Sequence, residues 1–190
     1  MPKRTLPVAD LAFARHLARI VVRGVSSGRE VEIDGLGTFH PDPSGFRFEP
    51  PPPRVFLAYG CEDRQAVSRL YDELRQSGFG PWMDVRRLLP GQNWPRAIEN
   101  AIDTADFFVP CFSRRSVAKR GGFQAELRYA LDCARRVPLD SIYLIPLRLD
   151  DCRVPRVIQR EFQYIDLFPD WENGTSRLKQ VLRRPQHQEK

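Results

Sequence analysis

The residues most able to take part in chemistry follow two apolar segments that are typical of buried strands. The first segment is followed at once by a glycine and a cysteine, and the second ends in an aromatic and an acidic residue. These residues are Tyr59, Gly60 and Cys61 for the first segment and Trp82 and Asp84 for the second. Ligands of open α/β sheets usually bind at the carboxyl ends of the strands. We therefore expect a binding site here, with the backbone amides after the first strand approaching a sugar or a phosphate.

The side chains at this predicted edge leave more than one role open. Trp82 and Asp84 are compatible with a core tryptophan and a loop-capping aspartate, or with a ring against the site and a carboxylate that organises it. Four arginines lie on loops at the same edge: Arg86, Arg87, Arg114 and Arg115. A guanidinium can bind a phosphate with two hydrogen bonds, but a solvated surface position is an equally good interpretation of each.

The elements that must position these residues alternate between strand and helix from residue 54 onward. The pattern predicts strands at 54–59, 79–84, 106–113, 142–149 and 164–167, and helices at 63–77, 94–105, 123–136, 155–160 and 172–184. The segment 114–122 is predicted to be a basic, glycine-containing loop, with Ser113 before it as a helix cap or turn residue. Such alternation indicates a parallel sheet covered by helices on both faces, with right-handed crossovers.

The first 49 residues predict a separate, small α+β module. Residues 8–24 have a broad apolar helical face, residues 30–34 alternate strictly, and 38–39 and 46–48 continue as short strands. One helix and a small sheet bury too little to be stable alone, so we expect the module to pack on a copy of itself or on the second domain. The prolines at 50–53 predict a stiff linker, and residues 185–190 predict a disordered tail.

The composition is that of an ordinary globular protein. Its 190 residues, 42% of them hydrophobic, suffice for one domain and an appendage, and the net charge of +6 is too mild for a concentrated nucleic-acid surface. The four cysteines show neither a CxxC pair nor a histidine at metal-ligand spacing. We expect reduced thiols in a cytoplasmic protein and no metal site. The sequence has no apolar run of about 18 residues, so no membrane partner is expected.

Five pieces of the second domain, in this order and spacing, resemble the Toll/interleukin receptor (TIR) domain of the bacterial type. They are Val55-Phe-Leu-Ala-Tyr59 with Glu62-Asp63, Gly78-Phe79-x-x-Trp82-x-Asp84, Leu89-Pro90-Gly91 with Trp94, Asp106-Phe-Phe-Val with Ser113, and Ala125-Glu126-Leu127. The resemblance covers residues 54–184. It implies an α/β fold with a flavodoxin-like, five-stranded parallel sheet and helices on both faces, preceded here by the small α+β module.

The resemblance also implies an activity, cleavage of the nicotinamide–ribose bond of NAD+ as substrate, without a cofactor. In the family a glutamate on the helix after the third strand carries this activity, and here it matches Glu126. Breaking an N-glycosidic bond builds oxocarbenium character on the ribose, which a nearby carboxylate stabilises. Nicotinamide already carries positive charge on its ring, so its departure needs no strong general acid. On the residues alone, an exposed helix glutamate is the ordinary interpretation of Glu126.

Further site residues follow from the same resemblance. The NAD+-binding residues implied are Tyr59, Gly60, Cys61, Trp82, Asp84, Arg86 and Phe123, and a mobile loop at 85–93 contains Leu89, Pro90 and Gly91. Two positions depart from the family, which often has serine at Gly60 and a tryptophan at Gly122 that stacks on nucleotide bases and builds active assemblies. Either Phe123, one position further on, substitutes for that tryptophan, or the site is weakened. The departures bear on catalysis and not on the fold.

The first module resembles the core of the HU/IHF class of bacterial DNA-binding proteins. The residues that carry the resemblance are Gly28-Arg-Glu-Val31-Glu-Ile33-Asp-Gly35-Leu-Gly37-Thr38-Phe39 and Phe46-Arg-Phe48-Glu-Pro50, within about 8–52. That family dimerises through this core and grips DNA with long basic arms. Here only residues 40–45 join the two strands, and they include no lysine or arginine. The resemblance therefore favours a homo-oligomer over DNA binding.

Three hypotheses for the function remain open at this point. The leading one is an NAD+ glycohydrolase in antiphage defence, activated by self-assembly through the N-terminal module and TIR–TIR contacts, with cyclisation of the ADP-ribose product as a variant. The second is a non-catalytic TIR adaptor that docks other TIR domains through the loop 85–93. The third is an HU-like, DNA-associated sensor. The resemblance also leaves room for an upstream sensor protein as a partner.

Overall fold

The computed structural model of the chain describes residues 8–33, 36–84, 91, 93–118, 121–136 and 141–183. It divides the chain into two units, Met1–Pro51 and Pro52–Lys190, so the boundary lies among the consecutive prolines. Each unit has its own sheet. No described helix has the combination of length and apolar character that crossing a membrane requires.

The first unit consists of one helix and a three-stranded antiparallel sheet. The helix α1 (Val8–Ser26) is followed by β1 (Val31–Ile33), β2 (Gly37–Asp42) and β3 (Gly45–Glu49), in the sheet order β1-β2-β3. Phe39 is the centre of this sheet, because it pairs with Val31 on one side and with Phe48 on the other. Val21 and Val25 of α1 are buried. The predicted helix and strands are present here, and α1 runs two residues past the predicted end at Gly24.

The second unit is the predicted α/β fold, with five parallel strands in the order β5-β4-β6-β7-β8. The strands are β4 (Arg54–Tyr59), β5 (Gly80–Trp82), β6 (Phe107–Phe112), β7 (Leu147–Arg148) and β8 (Ile165–Asp166). The helices are α2 (Arg64–Gln76), α3 (Trp94–Asp103), α4 (Arg114–Val117), α5 (Gly122–Ala134), α6 (Arg156–Glu161) and α7 (Trp171–Leu182), with a 3-10 turn at Cys61–Asp63. The first strand in sequence, β4, lies between the second and the third, which is the flavodoxin-like order.

Alternate residues of the central strand β4 supply two separate hydrophobic cores. Val55 and Leu57 pack with α2 and α7, and the described partners include Val67, Leu70, Leu74, Leu178 and Leu182. Phe56 and Ala58 face the other core, which includes Ile102, Leu127, Ala130 and Ile158 from α3, α5 and α6. A strand buried on both faces needs an uninterrupted apolar sequence, and β4 and β6 both have one. Helices therefore cover both faces of the sheet, as the alternation of elements predicts.

Two elements differ from the sequence predictions. The strand predicted at 142–149 is reduced to Leu147–Arg148 and a single bridge from Leu144 to Phe108. A proline interrupts both strands between these points, because neither Pro146 nor Pro110 of β6 has an N–H group to donate to a ladder. The segment predicted to be a loop, 114–122, contains the short helix α4. Its N-cap is Ser113, whose side chain accepts hydrogen bonds from the backbone of Arg115 and Ser116. The expected tail, 185–190, lies outside the described residues.

Candidate functional site

A cavity of about 320 Å3 lies at the carboxyl ends of β4 and β5. Its described lining comes from the end of β4, the 3-10 turn, the first residue of α2, the second residue after β5, one residue of α4, and the start of α5 with the glycine before it. The lining includes three carboxylates, those of Glu62, Asp84 and Glu126. This volume is within the range of about 300–1,000 Å3 that small-molecule sites occupy.

Glu126 lies on α5 with its carboxyl group largely withdrawn from solvent. Burial raises the pKa of this group from 4.5 to about 7, and the negative charge of Asp84 adds to the increase. Both causes oppose the charged form. At neutral pH the carboxyl group is therefore divided between its acid and carboxylate forms, a state that suits proton transfer and charge stabilisation alike.

Asp84 is held in place by the tyrosine at the end of the central strand. The Tyr59 hydroxyl donates a hydrogen bond of 2.6 Å to Oδ1 of Asp84. Burial, followed by this bond and the charge of Asp84, raises the pKa of Tyr59 well above its usual value. The phenol therefore stays protonated and remains a donor throughout the physiological pH range. The strand ends that the sequence predicts to border a site are joined here by one hydrogen bond.

Gly60 occupies a position where space, and not backbone conformation, requires a glycine. Its φ of −76° and ψ of 143° are extended values that any residue adopts. A Cβ atom at this position would lie 2.8 Å from Cβ of Ser116 on α4 and 3.2 Å from a carboxylate oxygen of Glu62. A serine at this position would collide with Ser116, so the glycine reflects the close approach of α4.

A buried polar network fixes the 3-10 turn to α4 beneath the cavity. The Ser113 hydroxyl donates a bond of 2.7 Å to Oδ2 of Asp63. The backbone N–H of Ser113 donates a bond of 2.8 Å to the Ser116 hydroxyl, and the N–H of Ser116 donates back to Ser113 at 3.1 Å. All three side chains are buried, so the groups satisfy one another away from water. The network confirms Ser113 as a helix cap and gives Asp63 a structural role that the sequence pattern did not show.

Of the residues expected to bind substrate, five line this cavity together with Glu126. They are Tyr59, Gly60, Cys61, Asp84 and Phe123. Cys61 is exposed, and Phe123 also packs edge-on against Phe112 at a centroid distance of 5.5 Å. Their expected roles in binding stay predictions, but their positions around one carboxyl group agree with the expectation of a common site.

Trp82 packs against the core, and its expected role in substrate binding stays a prediction. Its ring stacks on Phe56 with centroids 4.6 Å apart and packs against the second core, and it is not among the described lining of the cavity. Successive residues of a strand point to opposite faces, and Trp82 points to the same face as its partner Phe56 on β4. The core interpretation of this tryptophan, one of the two that the sequence leaves open, is the one that the structure shows.

Other predicted residues lie elsewhere or outside the described chain. Arg86, Leu89 and Pro90 fall outside the described residues, whereas Gly91 is exposed and has a φ of +84°. Arg114 is bound by the loop after β7, where its Nε donates a bond of 3.0 Å to the carbonyl of Asp151. Arg114 and Arg115 do not appear in the described lining of the cavity.

Gly122 places no side chain beside the carboxyl group of Glu126. A Cβ atom built on Gly122 would have Oε1 of Glu126 as its nearest neighbour, at 4.0 Å. A large side chain at this position would therefore lie directly beside the carboxyl group. Phe123, the next residue, is buried against Phe112 and also lines the cavity.

A second and larger cavity, of about 680 Å3, lies at the opposite edge of the sheet, beside the segments that lead into β7 and β8. Its described lining is mainly apolar and includes one carboxylate, that of Glu161. Its other ionisable side chains, within the described lining, are two arginines and two tyrosines: Arg135, Arg177, Tyr143 and Tyr164. The smaller cavity is the better candidate for chemistry because it combines three carboxylates with a shifted pKa.

Within the described ranges, no cluster of His, Cys, Asp or Glu is arranged to hold a metal ion.

Comparisons with known proteins place the second unit in a family. The TIR domain family model matches residues 55–179. The uncharacterized protein y4cD of Sinorhizobium fredii is 27% identical over 115 residues, which are 60% of this chain but only 18% of that protein. The family match does not extend into the first unit, and the comparisons do not support the HU/IHF resemblance, which stays a prediction.

Two solved structures share the fold of this chain at low sequence identity. The TIR domain of the Toll-related receptor TRR-2 from Hydra magnipapillata is 21% identical with a TM-score of 0.56, over 68% of this chain and 98% of that one. A TIR-STING receptor from C. gigas, solved in complex with 2',3'-cGAMP, is 22% identical with a TM-score of 0.56, over 69% of this chain and 39% of that one. These similarities concern the arrangement of strands and helices only.

Proposed function

Because the chain belongs to the TIR domain family, we propose that its second unit is an NAD+ glycohydrolase in which Glu126 is the catalytic residue. The observation that carries the proposal is the position of Glu126, whose carboxyl group lies in a cavity at the carboxyl edge of the sheet with Tyr59 and Asp84. The family alone does not distinguish an enzyme from a docking domain. A withdrawn carboxyl group with a pKa near neutrality favours the enzyme.

In the proposed reaction the bond between the ribose C1' and the nicotinamide nitrogen breaks. The electron pair goes to the ring nitrogen, so nicotinamide leaves as a neutral molecule and the ribose acquires oxocarbenium character. The charged form of Glu126 stabilises that cation, and its partial burial strengthens the interaction. Water then adds to C1' and releases a proton, which yields ADP-ribose. Attack by a ring nitrogen of the adenine in place of water would give the cyclic product.

The remaining polar groups of the cavity would position the sugar. Asp84 accepts from the Tyr59 hydroxyl through Oδ1, and we propose its carboxylate as an acceptor for a ribose hydroxyl as well. The negative charge of Asp84 also raises the pKa of Glu126. Tyr59 would thus fix the rotamer of Asp84, and Asp84 would in turn influence how much of Glu126 is charged at a given pH.

We propose further that the first unit promotes self-assembly of the protein. Several of its large apolar side chains are exposed, including Phe13 (69%) and Ile20 (48%) on α1 and Phe46 and Phe48 on β3. Phe13 and Ile20 are seven residues apart and therefore share one face of the helix. A second copy of the chain is the partner that we propose for this surface. Assembly would concentrate TIR domains and activate them, and the role in antiphage defence through NAD+ depletion is part of the same proposal.

The decisive test is release of nicotinamide from NAD+ by the purified chain and by a Glu126→Ala variant. The proposal expects release by the wild-type protein, rising more than in proportion to protein concentration if assembly activates it, and loss of release in the variant. No release at any concentration, even under crowding, would remove the enzyme hypothesis and leave the TIR adaptor as the better description.

A further inference from the structure

The cavity that holds Glu126 has an unbalanced set of charges. Its described lining includes three carboxylates and a single cation, the guanidinium of Arg64. A dinucleotide brings a negatively charged pyrophosphate into this cavity, and carboxylates alone would repel it. A substrate of this kind therefore needs a positive group at the place where its phosphates lie.

Arg64 is located at the point where such a group is needed. It is the first residue of α2 and follows directly on the 3-10 turn after β4. Its charge lies near the Tyr59 hydroxyl, since it lowers the pKa of that group and partly offsets the effects of burial and Asp84. The side chain is exposed at the cavity mouth. The N-terminal end of the 13-residue helix α2 adds partial positive charge at the same place.

We propose that Arg64 binds the pyrophosphate of the substrate and makes the site selective for nicotinamide nucleotides that carry phosphate over the phosphate-free nucleoside. This inference rests on the proposed NAD+ glycohydrolase function. Arg64 was not among the arginines that the sequence suggested for phosphate binding. Of those, Arg114 is engaged by the loop at Asp151. The planar guanidinium of Arg64 can donate two hydrogen bonds to phosphate oxygens.

The test compares the hydrolysis of NAD+ and of nicotinamide riboside, which has the same scissile bond but no phosphate. A charge-assisted hydrogen bond is worth about tenfold to a hundredfold in affinity. Arg64→Gln is expected to lower kcat/KM for NAD+ by about that factor and to leave kcat/KM for nicotinamide riboside within about twofold. Arg75→Gln is the matched control, because Arg75 lies on the same helix, is exposed and is not among the described lining of the cavity. An equal decrease for both substrates, or no decrease for NAD+, would overturn the inference.

A binding measurement separates failure of this inference from failure of the proposed reaction. ADP-ribose is titrated calorimetrically into the wild-type, Arg64→Gln and Arg75→Gln proteins, with circular dichroism to establish that each is folded. Weaker binding by about tenfold or more in Arg64→Gln alone supports the phosphate contact even if no bond is cleaved. Absence of ADP-ribose binding by the wild-type protein, or equal affinity in all three, overturns it. Cleavage of both substrates together with equal affinities would leave the glycohydrolase standing and remove only the role of Arg64.

Discussion

Replacing Glu126 with glutamine should stabilise the second unit at alkaline pH while removing activity. In the folded chain, burial and the charge of Asp84 raise the pKa of Glu126 from 4.5 to about 7. Each pKa unit is worth about 1.4 kcal/mol, so the folded state holds the carboxylate at a disadvantage of up to about 3 kcal/mol. Residual contact with solvent reduces this penalty. We therefore expect Glu126→Gln to raise the free energy of unfolding at alkaline pH by about 1–3 kcal/mol. Glutamine has nearly the same shape but carries no charge.

The sign of the pH dependence follows from proton binding. Below pH 4.5 both the folded and the unfolded chain hold the proton on Glu126, and the group has no differential effect. Between pH 4.5 and about 7 the unfolded chain loses this proton while the folded chain retains it, so the free energy of unfolding falls as pH rises. Above about pH 7 the full penalty is present. The advantage of Glu126→Gln should therefore be largest at pH 8.5 and fall below about 1 kcal/mol at pH 5.

Urea unfolding followed by tryptophan fluorescence measures this effect in the relevant unit. All three tryptophans, Trp82, Trp94 and Trp171, lie in the second unit, so the signal does not report on the first. Glu99→Gln is the matched control, because Glu99 is an exposed helix residue outside the described lining of the cavity. A stability difference between wild type and Glu126→Gln that is the same at pH 5 and pH 8.5, or a variant less stable at pH 8.5, would refute the assignment of a buried, raised-pKa carboxyl group.

Three further predictions concern the neighbours of the catalytic group and the first unit. Asp84→Asn should move the acid limb of the nicotinamide-release pH profile to lower pH, because the charge that raises the catalytic pKa is removed; an unmoved limb would count against the coupling. Gly60→Ser should lower the free energy of unfolding by about 1–3 kcal/mol through overpacking. Combined with Ser116→Gly, which itself removes a buried hydrogen-bond partner, it should cost clearly less than the sum of the two single losses, whereas additive losses would contradict the contact. Phe13→Ser combined with Ile20→Ser should shift the mass measured by light scattering from oligomer to monomer, and a wild-type protein that is monomeric at every concentration would exclude assembly through this surface.

The layout of the fold follows closely from the sequence because its central strands are unambiguous. β4 and β6 are continuous apolar runs, and each is buried along nearly its whole length. Such runs have one stable position in an α/β protein, the middle of a parallel sheet. The strand before Leu149 is less well predicted, because its apolar residues include Pro146 and lie opposite Pro110 of β6, and neither proline can donate to a hydrogen-bond ladder. The apolar composition of this segment predicts a longer strand than its backbone N–H donors can form.

The sequence predicts a residue of the candidate site when its backbone position alone brings it to the cavity. It does not when the direction of the side chain determines whether the residue reaches the cavity. Tyr59, Gly60 and Asp84 follow strand ends, and the topology brings strand ends together whatever their side chains do. Trp82 depends on which face of a three-residue strand it occupies, and that short strand has no clear alternation to read. Arg64 looks like any charged residue in the first turn of an amphipathic helix, so only the three-dimensional position of α2 reveals its place at the cavity.

The residues near Gly60 in the sequence also do not show why this position is a glycine. The atoms that exclude a side chain there belong to Ser116, 56 positions later in the chain. From the sequence, the glycine at this position suggests a weakened site. In the structure, it allows the 3-10 turn and α4 to pack closely together. Gly122 is different, since a Cβ atom there would meet nothing closer than Oε1 of Glu126, at 4.0 Å.

The central claim is that the carboxylate of Glu126 cleaves the nicotinamide–ribose bond. The most direct measurement is chromatographic quantification of nicotinamide released from NAD+ at pH 8 by wild-type, Glu126→Gln and Glu99→Gln proteins at equal concentration. The account predicts release by wild type and Glu99→Gln, and a decrease of about a hundredfold or more in Glu126→Gln, in a variant that is folded and more stable. Undiminished release by Glu126→Gln, or no release by the wild-type protein, would contradict it.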